Sequence, residues 1–133
     1  MIRYRDGYKY QLVETYTCKT SIVGQQSESE FIKLDDDGTL TIRRGYAWDG
    51  PSGPAIDTKN FMRGSLVHDA LYQLMREGLI PESLRDAADR VLRDICREDG
   101  MTALRGWWVY NGVRLGGGPA AALGSSRPVM TAP

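Results

Sequence analysis

Hydrophobic and polar positions alternate along the first part of the chain and indicate β-strands. Tyr8, Tyr10 and Leu12 are separated by single residues, which is the period of a strand. Two further apolar runs, 31–34 and 40–43, flank four residues that end in an Asp-Gly pair, a sequence typical of a hairpin turn. The polar segment 24–30 is predicted to be a loop. The pattern therefore predicts strands within residues 1–45.

The spacing of apolar residues changes to a helical period from residue 61 onward. One face of the first predicted helix carries Val67, Ala70, Leu71, Leu74 and Met75. Gly78 is the predicted end of that helix, and Pro81 the start of a second one that ends near Gly100. A third helix is predicted from about 102 to 115. We therefore expect an α+β fold, with a small N-terminal antiparallel β-sheet followed by about three α-helices.

The length of 133 residues fits one globular domain. We expect that domain over 1–116, with strands in 1–45, a Gly/Pro-rich loop in 45–60 and helices in 61–116. A loop of this length is often functional, and it can turn several carbonyl groups toward one point. An ordinary crossover between sheet and helices explains it equally well. Small, unpatterned residues in 117–133 predict a flexible tail, or a segment that a partner orders.

Charge and composition exclude several classes of protein. The chain has 17 basic and 17 acidic residues, divided evenly between its halves, which argues against nucleic-acid binding and a polybasic membrane anchor. It has no apolar run of about 20 residues and no signal peptide at its start, so we expect a cytoplasmic protein without a transmembrane segment.

A single histidine excludes zinc sites with several imidazoles. Cys18 and Cys96 are expected to be reduced, with Cys96 in the core. The phosphate-loop, nucleophile-elbow and dinucleotide-binding motifs are missing.

The residues best suited to chemistry lie on the first two predicted helices. His68 and Tyr72 are one turn apart, at the border of the apolar face of the first helix. Asp89 has the equivalent place on the second helix, and antiparallel packing would bring it to both. A carboxylate on one imidazole nitrogen would leave the other nitrogen as a general base. A buried polar network that only holds two helices together is the alternative.

Two other groups of residues invite a functional interpretation. Trp107 and Trp108 are adjacent, so their side chains should point about 100° apart, with one in the core and one exposed at a lipid-facing rim or a subunit contact. Arg90, Arg93 and Arg97 could bind phosphate, although a solvated helix face explains them more simply.

Two segments resemble an uncharacterised bacteriophage and prophage protein family. These are 45–54, which contains Trp-Asp-Gly-Pro, and 65–72, which contains His-Asp-x-x-Tyr; Arg85 and Asp89 follow. The resemblance covers about residues 40–115. It implies phage origin and a location in the host cytoplasm during phage production, with incorporation into the virion as a further option.

The order of glycine-rich loop, His-Asp-x-x-Tyr helix and aspartate is also similar to phospholipase A2. That resemblance implies that His68 is the base, that Asp89 orients it and that Tyr72 supports Asp89. It further implies a Ca²⁺ site formed by Asp69 and the loop residues Trp48, Gly50 and Gly53. Calcium would polarise the ester carbonyl. The loop sequence Gly50-Pro51-Ser52-Gly53 departs from the Tyr-x-Gly-x-Gly pattern of that family.

Two function classes follow from these observations. The first is a phage-encoded, calcium-assisted, phospholipase A2-like hydrolase that acts on host membrane lipid. The second is a non-catalytic virion or tail-assembly protein that contacts other phage structural proteins.

Overall fold

A computed structural model describes residues 10–48 and 59–116 of the chain. Within these ranges, antiparallel sheets precede three helices, which confirms the expected α+β fold. The strands are β1 (Tyr10–Gln11), β2 (Tyr16–Lys19), β3 (Ser27–Glu28), β4 (Ile32–Leu34), β5 (Thr39–Ile42) and β6 (Ala47–Trp48). The helices are α1 (Lys59–Arg76), α2 (Arg85–Glu98) and α3 (Ala103–Gly116), and a short 3₁₀ turn at Glu82–Leu84 precedes α2.

The larger sheet has four strands in the order β2-β5-β4-β3, all antiparallel. Its centre is the hairpin of β4 and β5, which the Asp-Gly pair predicts. The amide of Gly38 donates to the carbonyl of Asp35 at 3.0 Å and closes the turn. Ile32 and Leu34 are buried while Lys33 between them is half-exposed, so one face of this sheet packs on the core.

Two short strands correct the predicted loops. Ser27–Glu28 lies in the segment predicted to be a loop, but it pairs with β4 as β3. Ala47–Trp48 lies in the predicted 45–60 connection, but it pairs with Tyr10–Gln11 in a separate two-stranded sheet. Both are only two residues long, too short for a period of two to be visible in the sequence.

Two residues beyond the last residue of α1 and of α2 lies a glycine with a positive φ angle, 72° at Gly78 and 101° at Gly100. In each case the residue after the glycine donates its amide to a carbonyl five residues earlier: Leu79 to Leu74 and Met101 to Cys96, both at 2.9 Å. This is the Schellman motif, which needs a left-handed residue that glycine adopts without strain. The helix ends therefore lie close to where the glycines predict them.

The three helices run antiparallel in sequence order. Arg63 near the start of α1 pairs with Asp99 just after the end of α2, and Asp86 near the start of α2 pairs with Arg114 near the end of α3. The main core lies between the sheets and α1, whose predicted apolar face is fully buried. A second cluster consists of Phe61, Leu92, Cys96 and Met101, and Val109 and Val113 of α3 pack against it. Cys96 is in the core, as predicted. None of the described helices combines the length and the apolar character that crossing a bilayer requires.

Candidate functional site

The carboxylate of Asp89 lies at the contact of all three helices and is completely buried. The Nε2 atom of His68 lies 2.7 Å from Oδ1, and the hydroxyl of Tyr72 donates to the same oxygen at 2.5 Å. A third partner, the Nη1 group of Arg114, donates to Oδ2 at 3.2 Å. The close approach of Asp89 to His68 and Tyr72, which the helix pattern predicts, is therefore present in the structure.

Helix packing explains why these side chains meet. Gly64 lies one turn before His68, and a Cβ atom at this position would be 2.8 Å from the sulfur of Cys96. The lack of a side chain at Gly64 lets α1 approach α2 closely. That approach brings His68 within hydrogen-bond distance of a carboxylate with a short side chain.

The hydrogen bonds hold Asp89 in its charged form. Burial by itself would raise the pKa of this carboxyl group, but the hydrogen bonds from His68, Tyr72 and Arg114 outweigh it and lower the pKa. An ionised carboxylate only accepts hydrogen bonds, so the proton on the His68 ring is on Nε2. The Nδ1 atom of a neutral ring is then an acceptor, and no group in the described part of the chain donates to it. Such a nitrogen is suited to removing a proton from a substrate or from water.

Tyr72 is buried and is fixed from two sides. Its ring lies 4.1 Å from the imidazole ring between centroids, and its hydroxyl donates to Asp89. Burial and the neighbouring carboxylate raise the pKa of Tyr72. Tyr72 therefore remains protonated and is a donor to Asp89 throughout the physiological pH range. The side chain of His68 keeps 14% of its surface exposed, so it is not fully enclosed.

Asp69 belongs to a separate hydrogen bond. The hydroxyl of Tyr46, which is buried just before β6, donates to Oδ2 of Asp69. Burial raises the pKa of the Asp69 carboxyl group, and the hydrogen bond from Tyr46 and the charge of Arg76 oppose that rise. The sequence pattern does not reveal Tyr46 as the partner of Asp69, because the two are 23 positions apart and in different kinds of element.

Trp48, one of the residues expected to bind calcium, contacts α1. The indole nitrogen of Trp48 donates to the hydroxyl of Ser65 at 3.2 Å, and Ser65 lies one turn before His68 on α1. Gly50 and Gly53, the other expected loop ligands, lie outside the described residues. Trp48 itself is buried, at the end of β6.

Asp69 is the one carboxylate among the residues expected to bind calcium. A calcium ion takes six to eight oxygen ligands, whereas Asp69 is a single carboxylate with one oxygen already bound to Tyr46. No group of three or more His, Cys, Asp or Glu side chains in 10–48 and 59–116 is arranged to hold a metal ion.

Arg114 is a site residue that sequence reasoning misses. Its spacing on the third predicted helix does not distinguish it from Arg105, since the segment 102–115 carries these two arginines and no other charged residue. The antiparallel return of α3 along α2 is what brings Arg114 to Asp89 and Asp86. Tyr110 also donates to Asp86, so the second half of α3 is attached to the start of α2 at two points.

The two tryptophans correct another expectation. Trp107 and Trp108 are both exposed, 58% and 65%, although one was expected in the core. The buried face of α3 is formed by Gly106, with Val109 and Val113 partly buried beside it, and both indoles project from the other side of the helix. A cavity of about 750 Å³ lies between α2 and α3 beside Trp107; its lining does not include His68 or Asp89.

Comparison with known proteins identifies a family. Residues 26–113 match the model of the family described as protein of unknown function (DUF1353). No match was found among curated proteins or among solved structures. The matched range includes β3 to β6, all of α1 and α2 and most of α3, and therefore His68, Tyr72 and Asp89. The chain thus belongs to the DUF1353 family of proteins of unknown function.

Proposed function

We propose that the chain is a hydrolase of lipid esters in which His68 is the general base. The observation that carries the proposal is the 2.7 Å contact between Nε2 of His68 and the buried carboxylate of Asp89. In a neutral ring that donates from Nε2 to this carboxylate, the unprotonated Nδ1 is directed away from it. Similarity to the phospholipase A2 motif suggests the substrate class.

The reaction follows from this proton distribution. Nδ1 of His68 removes a proton from a water molecule as the water oxygen attacks the ester carbonyl carbon. The resulting imidazolium is stabilised by the charge of Asp89. Collapse of the tetrahedral intermediate breaks the bond to the alcohol oxygen, which takes the proton from Nδ1. The products are a carboxylic acid and an alcohol, and His68 returns to its initial state.

Tyr72 and Arg114 are positioning residues in this scheme. They donate to different oxygens of Asp89 and so fix the plane of the carboxylate that orients the imidazole. Each also keeps Asp89 ionised, because a hydrogen bond to the charged form lowers the pKa of a carboxyl group.

We extend the proposal to calcium on the resemblance alone. Asp69 would contribute one carboxylate oxygen and the loop after Trp48 its carbonyls, and the ion would stabilise the oxyanion. The test is a calcium titration followed by thermal unfolding. Calcium should raise the melting temperature of the wild-type chain and leave that of Asp69→Asn unchanged. An equal response of both proteins, or a response of neither, would remove Asp69 from any calcium site.

The phage context is likewise part of the proposal. A phage-encoded lipid hydrolase in the host cytoplasm would act on the inner surface of the host envelope. The competing function is a non-catalytic virion or tail-assembly protein, in which the same hydrogen bonds only hold the three helices together. What favours that alternative is that Asp89 accepts from α1 and α3 at once, as a purely structural contact would.

The experiment measures release of fatty acid from phospholipid vesicles, with and without calcium. His68→Ala should reduce the rate by about a hundredfold or more, the range for a lost general base. Asp89→Asn should also reduce it, whereas Asp36→Asn in the exposed hairpin turn should not. Circular dichroism checks that each variant is folded.

A second readout uses the fact that the chain has one histidine. Nitrogen-15 NMR of its ring should show the proton on Nε2 in the wild-type protein and a mixture of tautomers in Asp89→Ala. If the wild-type protein has its proton on Nε2 but releases no fatty acid, the proposed hydrolase activity is wrong and the hydrogen bonds have only the structural role.

A further inference from the structure

Arg85 lies on the same face of α2 as Asp89, one turn closer to the start of the helix. Because α1 and α2 run antiparallel, this position is on the Tyr72 side of the site, beyond the contact of Asp89 with His68. Arg85 is half-buried, and its Nη1 group donates to the backbone carbonyl of Arg114 at 3.3 Å. The guanidinium is therefore held between α2 and the end of α3, next to the residues around Asp89.

The charge of Arg85 acts on the site itself. Burial and the hydrogen bond to Asp89 raise the pKa of Tyr72. The positive charges of Arg85 and Arg114 oppose that rise. The interaction of a charge with a titrating group weakens with distance, so both guanidinium groups lie near the Tyr72 hydroxyl. Two cations are thus close to the one carboxylate that orients the imidazole ring.

The carboxylates next to Arg85 on α2 are bound to other groups. Asp89 accepts hydrogen bonds from three side chains, one of which is the guanidinium of Arg114. Asp86 pairs with Arg90 at 3.0 Å and with Arg114 at 3.6 Å. In the described part of the chain, Arg85 itself forms no ion pair. Of these three arginines, Arg85 is therefore the one that no carboxylate contacts there.

Arg85 also has hydrogen-bond donors to offer a ligand. A guanidinium has five N–H groups, and within residues 10–48 and 59–116 only the Nη1 group of Arg85 has an acceptor. Glu82, three residues earlier, is exposed and does not pair with it. The planar fork of a guanidinium matches two oxygens of a phosphate group. A phosphate could bind here without displacing a carboxylate of the described structure.

We propose that Arg85 binds a phosphate group of the substrate and determines specificity for phosphate-containing esters. This choice of substrate rests on the proposed function, in which His68 is the base of a lipid ester hydrolase. In a glycerophospholipid, the phosphate is on the carbon next to one that carries an ester. Arg85 and Asp89 are separated along α2 by a rise of about 6 Å, so one substrate molecule can contact Arg85 and the imidazole that Asp89 orients.

The competing explanation is that Arg85 only stabilises the end of α3. A cation is favourable near the carbonyl groups at the end of a helix. The hydrogen bond to the carbonyl of Arg114 is long, however, at 3.3 Å compared with about 2.7–3.2 Å for most bonds of this kind. It also occupies only one side of the guanidinium. The test must therefore measure ligand binding separately from stability.

The test follows the His68 ring by nitrogen-15 NMR during titration of the full chain at constant pH and ionic strength. Inorganic phosphate and glycerophosphocholine, a phosphodiester without acyl chains, are titrated separately. Each should shift the ring signals of the wild type until the site is saturated, because the bound anion adds negative charge beside the ring. Arg85→Gln should weaken the binding of both at least tenfold. Arg85→Lys keeps the charge but loses the fork, so it should weaken binding less.

Arg105→Gln is the matched control. Arg105 is an exposed arginine of α3 that also forms no ion pair in the described structure, but it is at the opposite end of α3 from Arg114. Its loss should leave the binding of both phosphates unchanged. Equal weakening by Arg105→Gln and Arg85→Gln would show that the phosphate responds to total charge and would contradict a site at Arg85.

Further measurements separate this proposal from the hydrolase. His68→Ala lacks the proposed base, but phosphate should raise its melting temperature as it raises that of the wild type. In the assay of fatty acid release, Arg85→Gln should raise KM for phosphatidylcholine at least tenfold more than KM for a diacylglycerol, which has no phosphate. A wild type that binds phosphate but releases no fatty acid would refute the hydrolase and leave the site at Arg85.

Lack of saturable binding by the wild type would overturn the proposal. Equal binding by Arg85→Gln, with a lower melting temperature, would show that Arg85 only stabilises the end of α3. A response to inorganic phosphate without one to glycerophosphocholine would exclude a lipid headgroup as the ligand. Circular dichroism checks the fold of each variant. If Arg85→Gln does not fold, Arg85→Lys decides, since it must still bind phosphate more weakly than the wild type.

Discussion

Asp89 is the residue on which three helices depend. It is completely buried, and its two oxygens accept from His68, Tyr72 and Arg114. A buried charge is tolerated only when it is paired and hydrogen-bonded, so the loss of any partner weakens both the site and the packing around it.

The lowered pKa of Asp89 predicts a dependence of stability on pH. Because the folded-state pKa lies below that of the unfolded chain, Asp89 contributes stability above a pH of about 4 and loses it as the pH falls through the folded-state value. Asp89→Asn should lower the free energy of unfolding by about 1–3 kcal/mol at neutral pH and by less in acid. Urea unfolding between pH 3 and pH 7 measures this. An equal loss at every pH would show that the charge of Asp89 is not what stabilises the fold.

At the scale of elements, the close contact of α1 and α2 positions the site. A Cβ atom at Gly64 would be 2.8 Å from the sulfur of Cys96 and 3.3 Å from the backbone oxygen of Leu92. The helices would have to separate to accommodate it. One turn later on α1, the same separation would lengthen the contact between His68 and Asp89.

Gly64→Ala should therefore destabilise the protein although alanine favours helices. The gain in helix propensity is at most about 1 kcal/mol, and overpacking costs about 1–3 kcal/mol. Gly112→Ala is the matched control, because nothing lies within 4 Å of a Cβ atom there; it should stabilise by about 0.5–1 kcal/mol. Urea unfolding compares the two. If Gly64→Ala were as stabilising as Gly112→Ala, the helices would not be held at this distance by the glycine.

Across the whole molecule, burial decreases from α1 to α3. The apolar face of α1 is fully enclosed between the sheets and α2. α3 packs on one side only and exposes most of its large side chains. Local stability follows buried apolar contact, so the two helices should differ in how readily they open.

Hydrogen exchange can measure this difference. Amide protons of Leu71 to Met75 should exchange only through global unfolding, whereas those of α3 should exchange faster through local opening. Equal protection of both helices in the free protein would contradict the predicted difference in local stability between α1 and α3.

The pattern of apolar residues is sufficient to predict the helices, the β4–β5 hairpin and the approach of Asp89 to His68. These features depend on the local period of apolar residues, on the glycines that follow α1 and α2, and on the short connection between these two helices. Each of these is encoded within a few residues. The pairing of β6 with β1, the bond from Tyr46 to Asp69 and the role of Arg114 depend on which distant elements meet. The exposure of both Trp107 and Trp108 follows from Val109 and Val113 taking the inner face, a choice that the spacing alone does not decide.

The contact at Gly64 also determines the reactivity of Cys96. Burial raises the pKa of its thiol to about 12, so almost none of it is thiolate at neutral pH, and α1 covers the sulfur. Alkylating reagents should reach Cys96 only when α1 and α2 move apart. Cys18 on β2 is only partly buried and would react as well, so the experiment uses a Cys18→Ser background. In that background, the rate at which Cys96 is alkylated measures how often α1 and α2 separate.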